Sequence, residues 1–175
     1  MKKRILLILL VSVMLLSLLA AMVACGEEET PEPLPVPPGL TPDYPAPPIE
    51  EGAEDAVDNE DKMDVAEGTT GAGIEYTTEY TVDISDKKVS LYFRNPSRSL
   101  QNIAVQLVIQ DQVIAESGLL TPGKRITTLA LEDGVSISAG VYAQNAKLIV
   151  RFFDPETNVC SIVKSEILVT VTAQE

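Results

Sequence analysis

Ile103-Ala104-Val105-Gln106-Leu107-Val108-Ile109-Gln110, followed by Asp111-Gln112 and Val113-Ile114-Ala115-Glu116, decides the fold. Ile103, Val105, Leu107 and Ile109 alternate with Ala104, Gln106, Val108 and Gln110. A two-residue period places each set on one side of a β-strand. Asp111-Gln112 then predicts a tight reversal into a second strand over 113–116.

The same grammar extends in both directions. Upstream, Val89, Leu91 and Phe93 share a face, as do Tyr76, Tyr80, Val82 and Ile84. Downstream, strand candidates run over 127–131, 141–153 and 161–172. Turn residues separate them: Asn95-Pro96-Ser97, Asp133-Gly134, and the run from Asp154 to Asn158. Thr121-Pro122-Gly123-Lys124 has Pro then Gly at its centre, the pattern of a type II turn. No long amphipathic helix is legible. Seven short strands in about 100 residues predict an all-β, antiparallel sandwich over residues 75–175. Its inward set is expected to be Leu91, Phe93, Val105, Leu107, Leu129, Leu131, Tyr142, Leu148, Val150, Phe152, Ile167, Val169 and Val171. Trp is absent, so the core rests on aliphatics, Tyr and Phe.

At Ala139-Gly140-Val141-Tyr142 the chain resembles the immunoglobulin and fibronectin type III group. There a Gly or Ala two residues before a Tyr opens a strand, and the Tyr hydroxyl bonds back across a corner. Leu120-Thr121-Pro122-Gly123, followed by that Gly-x-Tyr, resembles exported bacterial sandwich modules, one small group of which is named for a proteinase inhibitor. The resemblance implies an immunoglobulin-like or fibronectin-III-like fold and a corner role for Tyr142. It transfers no site chemistry.

Ahead of the sandwich the composition changes. Residues 25–75 hold 15 Asp and Glu against the single Lys62, whereas residues 76–175 are nearly neutral. Nine of the chain's 12 prolines lie between Pro31 and Pro48. Proline disfavours helix and sheet pairing and biases the chain to extended geometry. Residues 50–67 carry too little apolar surface to offset the entropy of ordering. Residues 25–74 are therefore predicted to be a disordered Pro-rich, acidic tether. Its acids lack calcium-loop spacing, and its Pro-x-x-Pro spacings read as tether rather than as ligands for aromatic grooves.

The first 26 residues carry the clearest message about location. Lys2, Lys3 and Arg4 precede an apolar run broken only by Ser12 and Ser17, which ends in Ala20-Ala21-Met22-Val23-Ala24-Cys25-Gly26. A basic head, an apolar middle and small residues at a cut site form a secretory signal. With Cys25 directly after Val23-Ala24, the segment resembles a bacterial lipoprotein signal, although Met22 stands where that family most often has Leu. The resemblance implies cleavage after Ala24 and lipidation of Cys25. Two or more acyl chains anchor stably where one is marginal. The competing reading is an uncleaved span, for which about 20 apolar residues suffice. Both leave the remainder on the extracytoplasmic face of a cell membrane. Without its three basic residues the mature chain carries a net charge of −16. No basic patch exists to displace counterions from nucleic acid.

Chemistry is scarce. The chain has no His, which removes imidazole triads and the commonest metal ligand. With Cys25 assigned to lipid, Cys160 has no intramolecular disulfide partner. Ser117 lacks the glycines of a nucleophile elbow. The pairs Asp154/Glu156 and Glu132/Asp133 read as solvated turn acids rather than a glycosidase pair. The sequence thus predicts no catalytic, cofactor-binding or metal-ligating residues and no enzyme. It predicts a membrane-anchored module that contacts a protein or envelope polymer through loops at 95–102, 117–125 and 154–158. Arg94, Arg98, Lys124 and Arg125 give these loops cationic character. The alternatives are an accessory subunit of an envelope or transfer complex, and a proteinase-inhibitor-like module.

Overall fold

The computed structural model describes residues 40–41, 44–58, 60–66 and 69–175; the segment expected to be a signal, with Cys25, lies outside them. The described residues form twelve strands and no helix. They are β1 (Leu40–Thr41), β2 (Glu54–Asp55), β3 (Glu75–Tyr76), β4 (Glu79–Asp83), β5 (Lys88–Asn95), β6 (Asn102–Ile109), β7 (Gln112–Glu116), β8 (Lys124–Ala130), β9 (Gly140–Tyr142), β10 (Ala146–Phe153), β11 (Cys160–Leu168) and β12 (Thr170–Gln174). One sheet has the order β1-β11-β10-β6-β7. The other has the order β2-β8-β5-β4-β12-β9, with β3 also paired to β5. Val105, Leu107, Leu148 and Val150 of the first sheet share one hydrophobic core with Val82, Val89, Phe93 and Val171 of the second. All thirteen residues expected to face inward are buried in that core or packed against it.

The all-β expectation holds; the count of seven strands does not. Three apolar runs that read as single strands are each cut in two, at Thr77-Thr78, at 143–145 and at Val169. At Val169 the chain leaves the first sheet and joins the second, where β12 runs parallel to β4. That pairing departs from an all-antiparallel arrangement. The reversal after β6 centres on Gln110 (φ 51°) and Asp111 (φ 63°), one residue earlier than predicted. Two successive positive φ values match the twist of the flanking strands in a two-residue hairpin. Thr121–Lys124 is the expected type II turn, with Gly123 at φ 86° and the Lys124 N–H donating to the Thr121 carbonyl at 3.1 Å.

Tyr142 closes the predicted corner: its hydroxyl donates to the Ser138 carbonyl, four residues back, at 2.8 Å. Tyr142→Phe keeps the ring against the core and removes this bond. We expect a loss of about 1 kcal/mol in urea unfolding, with the β-sheet circular dichroism unchanged.

Residues 44–74 depart most from expectation, because their described part is docked rather than a disordered tether. Tyr44 and Ala46 pack on Ala104, Leu119, Phe153 and Cys160, which form a second, smaller apolar cluster. This cover accounts for the burial of Ala104 and Gln106, which the alternation puts on the face of β6 away from the main core. Ile49 bridges to Leu119, and β2 pairs with β8. Residues 71 and 73, at the end of the predicted tether, are held as well. The Leu100 N–H donates to the Gly71 carbonyl at 2.9 Å. The Ser99 hydroxyl accepts the Gly73 N–H at 2.8 Å. Prolines do not prevent this docking, since an extended segment needs only intermittent main-chain bonds to lie along a sheet.

Candidate interaction surface

The three loops singled out in the sequence meet at one end of the module. β5 ends and β8 begins there, with Asn95 opposite Lys124. β6 begins and β10 ends there, with Phe153 opposite Asn102. Asn95 is fully buried and stitches the first two loops together. Its side-chain amide donates to the carbonyls of Gln101 at 2.9 Å and Leu120 at 2.8 Å, and its main-chain carbonyl accepts the Gly123 N–H at 2.7 Å. In the third loop the Asp154 carboxylate accepts the Glu156 N–H, the Thr157 N–H and the Thr157 hydroxyl at 3.0, 2.8 and 2.9 Å. Partial burial works against its charge, but these bonds outweigh it and hold the carboxyl below the usual carboxylate range. Asp154 is thus committed to shaping its own turn.

The four cations do not stand open to solvent. Each faces a carboxylate of the acidic segment. Arg94 pairs with Asp58 and, at 3.0 Å, with Glu75. Arg98 lies 3.7 Å from Glu60, Lys124 lies 2.6 Å from Asp55, and Arg125 lies 3.0 Å from Glu54. Residues 54–58 and Glu60 thus form a strap over the loop end. Main-chain bonds reinforce it, from the Ala56 N–H to the Gly123 carbonyl at 2.8 Å and from the Met63 N–H to the Arg98 carbonyl at 2.9 Å. Lys62 Nζ donates to the Ser99 carbonyl at 2.9 Å.

The pairs differ in weight. Arg94 and Asp58 are 14% and 8% exposed along their side chains, whereas Lys124 and Asp55 are 37% and 87% exposed. Exposed pairs are screened and hold weakly; a desolvated pair does not tolerate loss of one partner. The Lys124 ammonium, by hydrogen bond and charge, holds the Asp55 carboxyl below its usual value. A depressed folded-state value means that this contact is complete above the ordinary Asp range and fades as pH falls through the lowered one. The exposed Lys124–Asp55 contact is therefore acid-sensitive.

A second polar group anchors the start of the docked segment. The Tyr44 hydroxyl bonds the Glu116 carboxylate, Gln106 Nε2 donates to both Tyr44 and Glu116 at 3.1 Å, and the Arg151 guanidinium lies 3.9 Å over the Tyr44 ring. Burial first, then the bond to Glu116, raises the Tyr44 hydroxyl far above its ordinary value. Nothing in the local sequence around Tyr44 pointed to this role. Ser117 sits at the strand end: its hydroxyl accepts the Val105 N–H at 3.0 Å and donates to the Gly118 carbonyl at 2.8 Å. Cys160 is buried, and its Sγ donates to the Ser161 carbonyl at 3.4 Å. Among the described residues no helix is long and apolar enough to cross a membrane, and the apolar run near the N-terminus lies outside them.

No family model matches the chain, and no curated protein matches it. Among solved structures it is similar to a domain of the outer membrane lipoprotein Omp28 from Porphyromonas gingivalis. The two share 15% identity over 67% of this chain and all of that one, with a TM-score of 0.36.

Proposed function

We propose that the protein is a non-catalytic lipoprotein that presents a small immunoglobulin-like binding module on the extracytoplasmic face of a membrane. The observation that carries the reading is the convergence of three loops and four cations at one end of a two-sheet module, behind a segment built like a lipoprotein signal. The strand order supports the finer fold. The order β11-β10-β6-β7 in one sheet and β8-β5-β4 in the other fits a fibronectin-III-like reading with β12 as an added strand, and the Tyr142–Ser138 bond fits its corner. Such folds present ligand-binding loops at one end of the sheets. The docked segment shortens the reach. Between Cys25 and Leu40 lie 15 residue steps, at most about 50 Å of contour, which is shorter than a tether running to residue 74 would allow. The partner is a protein or envelope polymer; nucleic acid does not suit a chain with net charge −13.

Cys25→Ala tests the anchor. The wild-type chain from intact cells is expected to begin at Cys25 and carry diacylglyceryl and acyl mass. The variant is expected to lose all lipid label while its β-sheet circular dichroism stays the same. A wild-type chain that keeps its initiator Met and has no lipid mass sinks the reading.

A further inference from the structure

We infer that the loop end is a cradle for an acidic, extended segment of a partner protein, and that residues 54–58 and Glu60 of this chain occupy it as a built-in competitor. This deepens the binding-module reading above and rests on it for the existence of a partner.

Two kinds of contact define the cradle. The first is main-chain: β2 lies antiparallel on the edge of β8, with Glu54 opposite Arg125 and Asp55 opposite Lys124. The Ala56 N–H continues the line to Gly123, and the Ser97 N–H reaches Asp58 Oδ2 at 3.2 Å. The second is charge: four cations, from the end of β5, the loop after it and the start of β8, meet carboxylates at positions 54, 55, 58 and 60. Apolar packing adds little, since Val57 in the middle of the strap is 96% exposed. The cradle therefore reads an extended backbone and the spacing of its acids. Strand addition to a sheet edge is a general mode of peptide recognition. An anionic headgroup could answer the cations but has no backbone to pair with β8, so a polypeptide fits better than a lipid surface.

Occupation in cis sets a threshold. A segment on a short linker competes at an effective concentration on the order of millimolar. A partner must therefore peel the strap, beginning with its weak exposed pairs, before it meets Arg94.

The test uses the full chain in detergent and a fluorescent peptide of residues 52–64, beside the same peptide with Asn and Gln for Asp and Glu. A chain carrying Glu54→Gln, Asp55→Asn, Asp58→Asn and Glu60→Gln is expected to bind the acidic peptide at least about tenfold more tightly than wild type does. That binding should weaken with salt, and the amide peptide should not bind. Equal binding of the acidic peptide by both chains, or of both peptides by the variant, overturns the inference. A second variant, Asp55→Cys with Lys124→Cys, crosslinks the strap in place. It is expected to abolish peptide binding until reduced, and it decides alone if the fourfold variant loses its β-sheet signal; undiminished binding by the crosslinked form overturns the inference. Binding of the fourfold variant to phosphatidylglycerol vesicles instead of the peptide assigns the cradle to lipid and overturns it too. So does a dimer with wild type in sedimentation without peptide binding, which assigns it to a second copy. Loss of the cradle with Cys25 still lipidated leaves the tethered-module reading standing.

Discussion

Asp58→Ala is expected to lower the stability of the β module by about 3 kcal/mol and to open residues 52–63 to proteolysis at neutral pH. Asp58 is the inner anchor of the strap. Its carboxylate meets the Arg94 guanidinium and accepts the Ser97 N–H, with both side chains largely out of water. Removing one member of a desolvated pair leaves the other charge without compensation, and that cost exceeds anything the pair gained in forming. Glu75 keeps one contact to Arg94 and tempers the loss. Asp55→Ala is the control, because that carboxylate is mostly in solvent. It should leave the urea midpoint unmoved and the strap protected at pH 7. If the two variants unfold and cleave alike, the strap is held by its backbone and not by the buried pair.

The strap also marks where the sequence stops being informative. Strands β5, β6, β7 and β8 were legible because alternation is local: each apolar residue reports its own face. Tyr142 was legible because its partner, Ser138, lies four residues away. The docking of residues 44–74 was not, for a physical reason. Composition averages over fifty residues and finds too little apolar surface to fold. Docking depends instead on particular pairs far apart in the chain: Asp58 with Arg94, Glu60 with Arg98, Asp55 with Lys124 and Glu54 with Arg125. Both halves were visible separately, as an acidic run and as four loop cations, but nothing local says that they meet. The burial of Ala104 on the second face of β6 was hidden in the same way, since Tyr44 and Ala46 supply its cover from some sixty residues upstream. At Val169 the opposite problem arises. The apolar alternation runs on unbroken while the chain changes sheets, because a buried strand residue looks the same in either layer.

Gly118→Ala has the second large effect and isolates the other end of the docked segment. A Cβ at position 118 would sit 2.6 Å from the Pro48 carbonyl oxygen, 2.7 Å from the Glu50 nitrogen and 2.8 Å from the Glu50 Cα. All three are backbone atoms, so no side-chain rotation relieves the contact. The same place holds three bonds. The Leu119 N–H donates to the Pro48 carbonyl at 2.8 Å, the Glu50 N–H to the Leu119 carbonyl at 3.0 Å, and the Gly118 N–H to Glu50 Oε2 at 2.7 Å. One methyl group therefore forces residues 48–50 off the strand end and breaks what pinned them there. Overpacking of this kind costs about 1–3 kcal/mol, and we expect the upper part of that range because the bonds go with it. Hydrogen exchange separates this effect from loss of the core. Amides of Glu50 and Leu119 should lose protection while those of Val89 and Leu148 keep theirs. Protection retained at Glu50 would mean that the segment bends around the added methyl and that the close approach at Gly118 is not what fixes it.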